Sequence, residues 1–388
     1  MQRRLEELDA LRGLMLVWIT CTHLPTALSS YVNQPLGYFA ATEGFIFLSA
    51  LFTGRIYFAI SLRQGNGAMC RSLWMRTARL YCYQLLLLAF AFVIAAPIAA
   101  RGNRPAVHNL LDYYFSTGRI HAFLDAALML YRPPLLDILP IYIIFFALSP
   151  FVLLLGARWG WRYAFAASFT LWLLAQFGFR SFAYRVLAHA LGLQIPLREM
   201  GAFNLWAWQF WWLVGLWLGA RWAKGDLHVE EWAKRLVVPA AVVALSFLAL
   251  RYAQIAGMTL PTWSGWLLNK WNFGAGRIVD FSAVALLAVR FRAWLKPLAI
   301  APLVKLGQAS LAVFCVHLLC VFFALTIMGN HEILTGWPAV AMVAASLSAL
   351  LLTARIAASR RAPSRGDRSA GPKAPPREAY PERLAPAA

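Results

Sequence analysis

A chain of 388 residues in which 61% are hydrophobic, 13% are charged and 17 are Trp cannot be a soluble globule, and its mean hydropathy of +0.60 reads as a polytopic all-α integral membrane protein. The formal charge of +20 would suggest nucleic acid in a soluble chain. Here Lys and Arg gather in short connections and in the C-terminal tail, so the charge reports membrane orientation and excludes a nucleic-acid surface.

Apolar windows of about twenty residues lie near 10–28, 38–60, 74–100, 134–156, 160–178, 205–222, 236–255, 276–294, 303–328 and 338–357, which predicts about ten transmembrane helices. An even number puts both termini on one side, and the basic connections make that side cytoplasmic. The cysteines, Cys21, Cys70, Cys82, Cys315 and Cys320, are odd in number and mostly inside apolar windows. They read as packing thiols, with no metal site.

In the first window Arg12 and His23 stand eleven residues apart. That is close to three helical turns, so both point the same way, about 16 Å apart along the axis. Ionisable groups at such depth face functional cavities. The window has no small-residue cleavage site and is expected to stay in the mature protein.

The second window, ATEGFIFLSALFTGRIY, carries Glu43 and Ser49. A short link makes the first two helices antiparallel neighbours, which brings Glu43 towards His23. That pairing would orient the imidazole as a general base. A carboxylate near the end of a span also suits contact with water. The next connection places Arg76 and Arg79 one turn apart. With Arg71 and Arg12 they form a basic cluster suited to a phosphorylated cytoplasmic donor.

The connections 101–133, 179–204 and 256–275 are long and rich in aromatics, as expected of loops that hold a binding surface. Asp137 follows the Pro133-Pro134 break and reads as a helix cap, or as support for an acceptor. Asn204, Trp208 and Gln209 in FNLWAWQF suit either contacts to a sugar or an aromatic interface belt. Asp280, three residues after Arg277, reads as a local ion pair. His317 is a second intramembrane histidine, with Ser310 two turns before it; an interhelical hydrogen bond is its alternative role. Residues 1–358 form the transmembrane domain. The segment 359–388, dense in Pro, Arg and Ala, is expected to be a disordered cytoplasmic tail near an anionic leaflet.

The Arg12–His23 spacing, the Arg76-x-x-Arg79 element and FIFLS in the second window resemble the acyltransferase type 3 superfamily. LDALRGLMLVWITCTHLP, ATEGFIFLSALFTGRIY, LLDILPIYIIFFALSP, FNLWAWQFWWLVG and LGQASLAVFCVHLL, spread over residues 8–319, resemble its OpgC branch, which modifies osmoregulated periplasmic glucans. The resemblance implies an O-acyltransferase of the bacterial inner membrane. It would move an acyl group, succinyl in this branch, from cytoplasmic acyl-CoA to a periplasmic glucan or related carbohydrate. Acyl-CoA (succinyl-CoA) is then a donor substrate and no cofactor is held permanently; membrane lipid and glucan-synthesis proteins are the other partners. Arg12 and His23 match the functional first-span pair, Glu43 the acidic residue before FIFLS, and His317 the late-helix histidine.

The chain departs from the pattern at Ser49-Ala50, where the family has Ser-Gly; the extra methyl bears on close packing. A polytopic transporter or flippase for an acylated or glycosylated lipid is the competing class, since transporters also hold midplane His and Glu. The halves show no convincing repeat of the transporter kind. A membrane scaffold acting through the basic tail is the third.

Overall fold

Helices dominate because long apolar runs in a membrane must satisfy every backbone N–H and C=O internally. The computed structural model describes residues 6–102, 104–328 and 333–360; the tail expected over 359–388 lies outside them except for its first two residues. Eleven helices exceed ten residues among the described residues: α1 (Glu6–His23), α2 (Ala41–Gln64), α3 (Asn66–Arg101), α4 (Ile138–Arg158), α5 (Trp161–Gln176), α6 (Phe179–Leu191), α7 (Leu205–Lys224), α8 (Val237–Ile255), α9 (Ala275–Arg290), α10 (Ser310–Ile327) and α11 (Gly336–Ser359).

A helix stands at each of the ten predicted windows. Six of them, α2, α3, α4, α8, α10 and α11, are long and apolar enough to cross a membrane. The others differ for identifiable reasons. Helix α1 carries Glu6, Glu7, Asp9 and Arg12, α5 and α9 have 16 residues each, and α7 is rich in Trp, whose indole gives it an amphipathic character.

The connections expected as loops are largely helical. The first folds into Pro105–Leu110, Asp112–Thr117 and Arg119–Ala127. The second forms α6, bounded by Gly178 and Gly192, both left-handed. Helix α6 buries none of its residues and exposes Phe182, Val186, Leu187 and Leu191. An amphipathic helix of this kind lies in the membrane interface. Periodicity was masked there because polar and apolar residues interleave along the helix instead of forming an apolar block.

At the centre α2 packs along α7, and the contact is made by small residues. A Cβ on Gly54 would strike the carbonyl of Leu216, and one on Gly219 would strike that of Leu51. Likewise Gly13 of α1 lies against Leu303, and Gly307 against Asp9. Where lipid tails are as apolar as Leu, such backbone approach is what drives helices together. Two irregularities shape the interior. Helix α3 takes a π turn over Phe90–Ala95, just before Pro97, whose ring cannot fit the regular i−4 pattern. The chain also breaks at Ala309 between the short helix Ala301–Gln308 and α10. Irregular backbone at such depth is tolerated where it lines a cavity, and Gln308 and Ser310 on either side of the break do line one.

Candidate active site

Arg12 and His23 of α1 meet the same partner, α10. The Arg12 guanidinium donates to Ser310 Oγ at 2.6 Å and lies over the Phe52 ring, 5.1 Å from its centroid. His23 Nδ1 faces His317 Nε2 at 3.3 Å, and the two rings stack with centroids 5.3 Å apart. Eleven residues on α1 span about 16 Å and seven on α10 about 10 Å; the long Arg side chain takes up the difference. The single face inferred from the spacing is therefore real, and it is turned towards a helix almost 300 positions away.

Glu43 is not the partner of His23. Its carboxylate accepts from Arg277 Nε at 2.8 Å and from Arg277 Nη2, and from the backbone N–H of Ala40 at 3.0 Å. Both charged groups are fully buried. A guanidinium offers two parallel donors to a carboxylate, a geometry that an imidazole cannot match. The same contact replaces the local ion pair expected for Arg277 and Asp280: Asp280 instead accepts from the backbone N–H groups of Tyr38, at 2.6 Å, and Phe39.

A cavity of about 250 Å³ begins beside Arg12, with Arg76, Gln308 and Ser310 at that end. Ser49, Tyr142, Phe45 and Phe314 also line it, and Tyr142 Oη reaches Ser49 Oγ at 3.5 Å. Phe314 closes the upper end: its ring stacks on Phe45 at 6.0 Å and lies 5.6 Å from the His317 ring. One aromatic layer separates the cavity from the histidine pair. A second cavity of about 390 Å³ shares Arg76, Gln308 and Ser310 and adds Arg79, Thr353 and Arg360. Arg71, in contrast, is exposed and lines neither.

Above the histidine pair the other expected contacts serve to build structure. Asn204 caps α7 by accepting from Trp206 N–H, and its amide donates to Asn272 Oδ1. Trp208 is fully buried and donates to the Trp271 carbonyl at 3.1 Å. Gln209 is held by Ser168 and Trp206. None of the three lines either cavity; Asn204 and Trp208 hold Trp271 and Asn272, while Gln209 ties α7 to α5. Asp137 occupies the N-cap position of α4 without capping it. Its carboxylate accepts from Ala202 N–H at 3.0 Å, so it ties the connection after α6 to the start of α4. Burial pushes its pKa up to about 6, against the hydrogen bond from Ala202 and the charges of Arg132 and Lys270. Burial also lowers the pKa of Arg132, to about 10.

Sequence reasoning missed Tyr142 and Gln308, which line the first cavity. Tyr142 and Gln308 sit in the quoted LLDILPIY and LGQAS stretches, but a hydroxyl or an amide in an apolar run carries no distinctive spacing.

Neither the curated proteins nor the solved structures include a match to the chain. One family model spans nearly the whole length of the chain: the model described as OpgC protein covers residues 3–362, and the chain belongs to that family.

Proposed function

We propose that the protein is a membrane O-acyltransferase of the acyltransferase type 3 superfamily that moves an acyl group, succinyl in our reading, from cytoplasmic acyl-CoA to a glucan on the periplasmic side of a bacterial inner membrane. Family membership supports a glucan-modifying acyltransferase. The observation that carries the reaction is the cavity that runs from Arg12 and Arg76 to Phe314, one ring short of the His23–His317 pair. In this reading ten helices cross the membrane with both termini cytoplasmic, and the Arg12 end faces the cytoplasm.

The CoA phosphates lie at the second cavity, near Arg76, Arg79 and Arg360, where guanidinium groups match phosphate geometry. The pantetheine arm runs through the first cavity past Arg12, Ser49 and Tyr142, and displacement of Phe314 brings the thioester to the histidines. With Nδ1 turned to His317, His23 presents Nε2, which makes no hydrogen bond among the described residues. If His23 Nδ1–H donates to His317 Nε2, the free Nε2 carries the lone pair of a general base. It takes the hydroxyl proton as the sugar oxygen bonds to the acyl carbon. The C–S bond then breaks, and the proton passes to the departing CoA thiolate. His317 thus performs the orienting role that the sequence suggested for Glu43, while Glu43 and Arg277 hold α2 against α9.

The test is transfer of label from succinyl-CoA to glucan in membranes that contain wild-type protein, His23→Ala or His317→Ala at matched folded amounts. Wild type is expected to label the glucan and His23→Ala to fail. Absence of transfer from any acyl-CoA by folded wild type would sink the reading and favour the transporter or flippase.

A further inference from the structure

Most polar side chains that line the first cavity are engaged with the protein itself. Arg12 meets Ser310, Arg76 lies over the Phe146 ring, Gln308 reaches Asp9 and Thr53 donates to the Ser49 carbonyl. Tyr57 belongs to the basic end, about two turns beyond Ser49 on α2. The other two hydroxyls, of Ser49 and Tyr142, are both buried and both in the cavity wall. Their only hydrogen bond among the described residues is to each other, at 3.5 Å. An O–H···O contact is ordinarily about 2.8 Å long, so this one is weak. In so apolar a wall, with Phe45, Leu139, Phe146 and Phe314 around them, the hydroxyls gain a full-strength partner only from a group that enters the cavity.

The Tyr142 hydroxyl is held in place. Its ring packs against Phe45, Phe146 and Trp212, with centroids 6.1, 6.4 and 5.7 Å away, and Trp212 is itself fixed by the bond from its indole N–H to Ser149. The depth of the pair is equally defined. Ser49 stands four residues beyond Phe45 on α2, about 6 Å along the axis, on the side where Phe52 meets Arg12. Phe45 stacks on Phe314, which precedes His317 by three residues, or about 4.5 Å. The two hydroxyls therefore lie about 10 Å below the histidine pair. In an extended CoA arm the nearer amide carbonyl is about 6 Å from the thioester carbon and the farther one about 10 Å, at the advance per bond of any extended chain.

We propose that the Tyr142 hydroxyl donates a hydrogen bond to the farther amide carbonyl of the CoA arm and so sets the register that delivers the thioester to His23. Ser49 Oγ then donates to the Tyr142 oxygen, since a serine hydroxyl serves as donor or acceptor by rotation. The assignment rests on the acyltransferase reading above and adds the contact by which the cavity recognises its donor. An arm without that amide leaves both hydroxyls as they are now, and binding weakens by about the strength of one hydrogen bond, roughly fivefold.

The test is a cycle that pairs one protein group with one ligand group. CoA, and an analogue in which two methylenes replace the farther amide, are titrated by calorimetry into folded, detergent-purified wild type and Tyr142→Phe. The phenylalanine keeps the ring and its packing and removes only the hydroxyl. We expect wild type to bind CoA about fivefold more tightly than the analogue, and Tyr142→Phe to bind the two alike, with its affinity for the analogue unchanged. A wild type that does not distinguish the two ligands overturns the contact without recourse to any variant. An equal loss of both ligands in Tyr142→Phe, or a preference that survives the substitution, also overturns it. Either result leaves the acyltransferase standing so long as wild type transfers an acyl group from acyl-CoA. Folded wild type that binds no CoA removes both.

Discussion

His317 is fully buried and presents Nε2 to the ring of His23, so at the scale of single residues the two imidazoles act as one unit. Removal of either should lower kcat by about 10²–10⁴. The double variant should lose little more than His23→Ala alone, because residues that act together are non-additive; initial rates at saturating donor measure this. The second residue-scale lesson is Ala50. Its methyl meets α7 where that helix carries a glycine: a Cβ placed on Gly215 of α7 would lie 2.6 Å from the Ala50 Cβ. Gly215 thus leaves room for the Ala50 methyl, while Gly54 and Gly219 make the closest approach of the two helices. Gly215→Ala should destabilise the fold by about 1–3 kcal/mol through overpacking. Ala50→Gly in the same chain should restore part of it, since the backbone of Phe47 and Leu51 also stands close, read as melting temperature in detergent.

Between elements, the Glu43–Arg277 pair links α2 to α9 inside the bundle. Breaking a buried pair by removal of one partner leaves an uncompensated charge and costs about 3–5 kcal/mol. Glu43→Gln is therefore expected to lower the melting temperature and the folded yield. Removal of both charges, Glu43→Gln with Arg277→Met, should recover part of the loss. A direct catalytic role for Glu43 would show the reverse, with a stable and inactive Glu43→Gln protein. Asp137 joins the start of α4 to Ala202, and its pKa is raised from 3.8 to about 6, chiefly by burial. The folded state then holds more protons than the unfolded one between these values, so this group's contribution to stability falls as pH rises from about 4 through 6. Thermal melts of Asp137→Asn should lack that part of the slope.

For the whole molecule, the two ends of the cavity system should separate kinetically. Arg76 lines both cavities at the end opposite the histidines. Arg76→Ala is expected to raise KM for acyl-CoA by about tenfold, the loss of one charge-assisted contact, with kcat changed far less. His23→Ala should do the opposite. A steady-state series in donor concentration distinguishes them, and a matched fall in kcat for Arg76→Ala would argue against a donor-binding end. The bundle also explains which surfaces stay apolar. Helix α8 buries only Ala240, and α11 only Ser346, Leu350 and Ala354, as peripheral helices bathed in lipid should.

Composition and local pattern by themselves identified a helical membrane protein, and an eleven-residue spacing identified Arg12 and His23 as sharing a face, because rise and turn per residue are properties of any helix. They located the basic start of α3 in the same way. What no local pattern holds is the identity of the neighbour across the gap. Proximity in the chain favoured Glu43 for His23 and Asp280 for Arg277. The packing of Gly13 against Leu303 and of Gly307 against Asp9 instead set α1 beside α10 and its approach, and so joined His23 to His317, 294 positions apart. Glu43, on the helix next in sequence, pairs instead with Arg277, whose guanidinium donors satisfy the buried carboxylate.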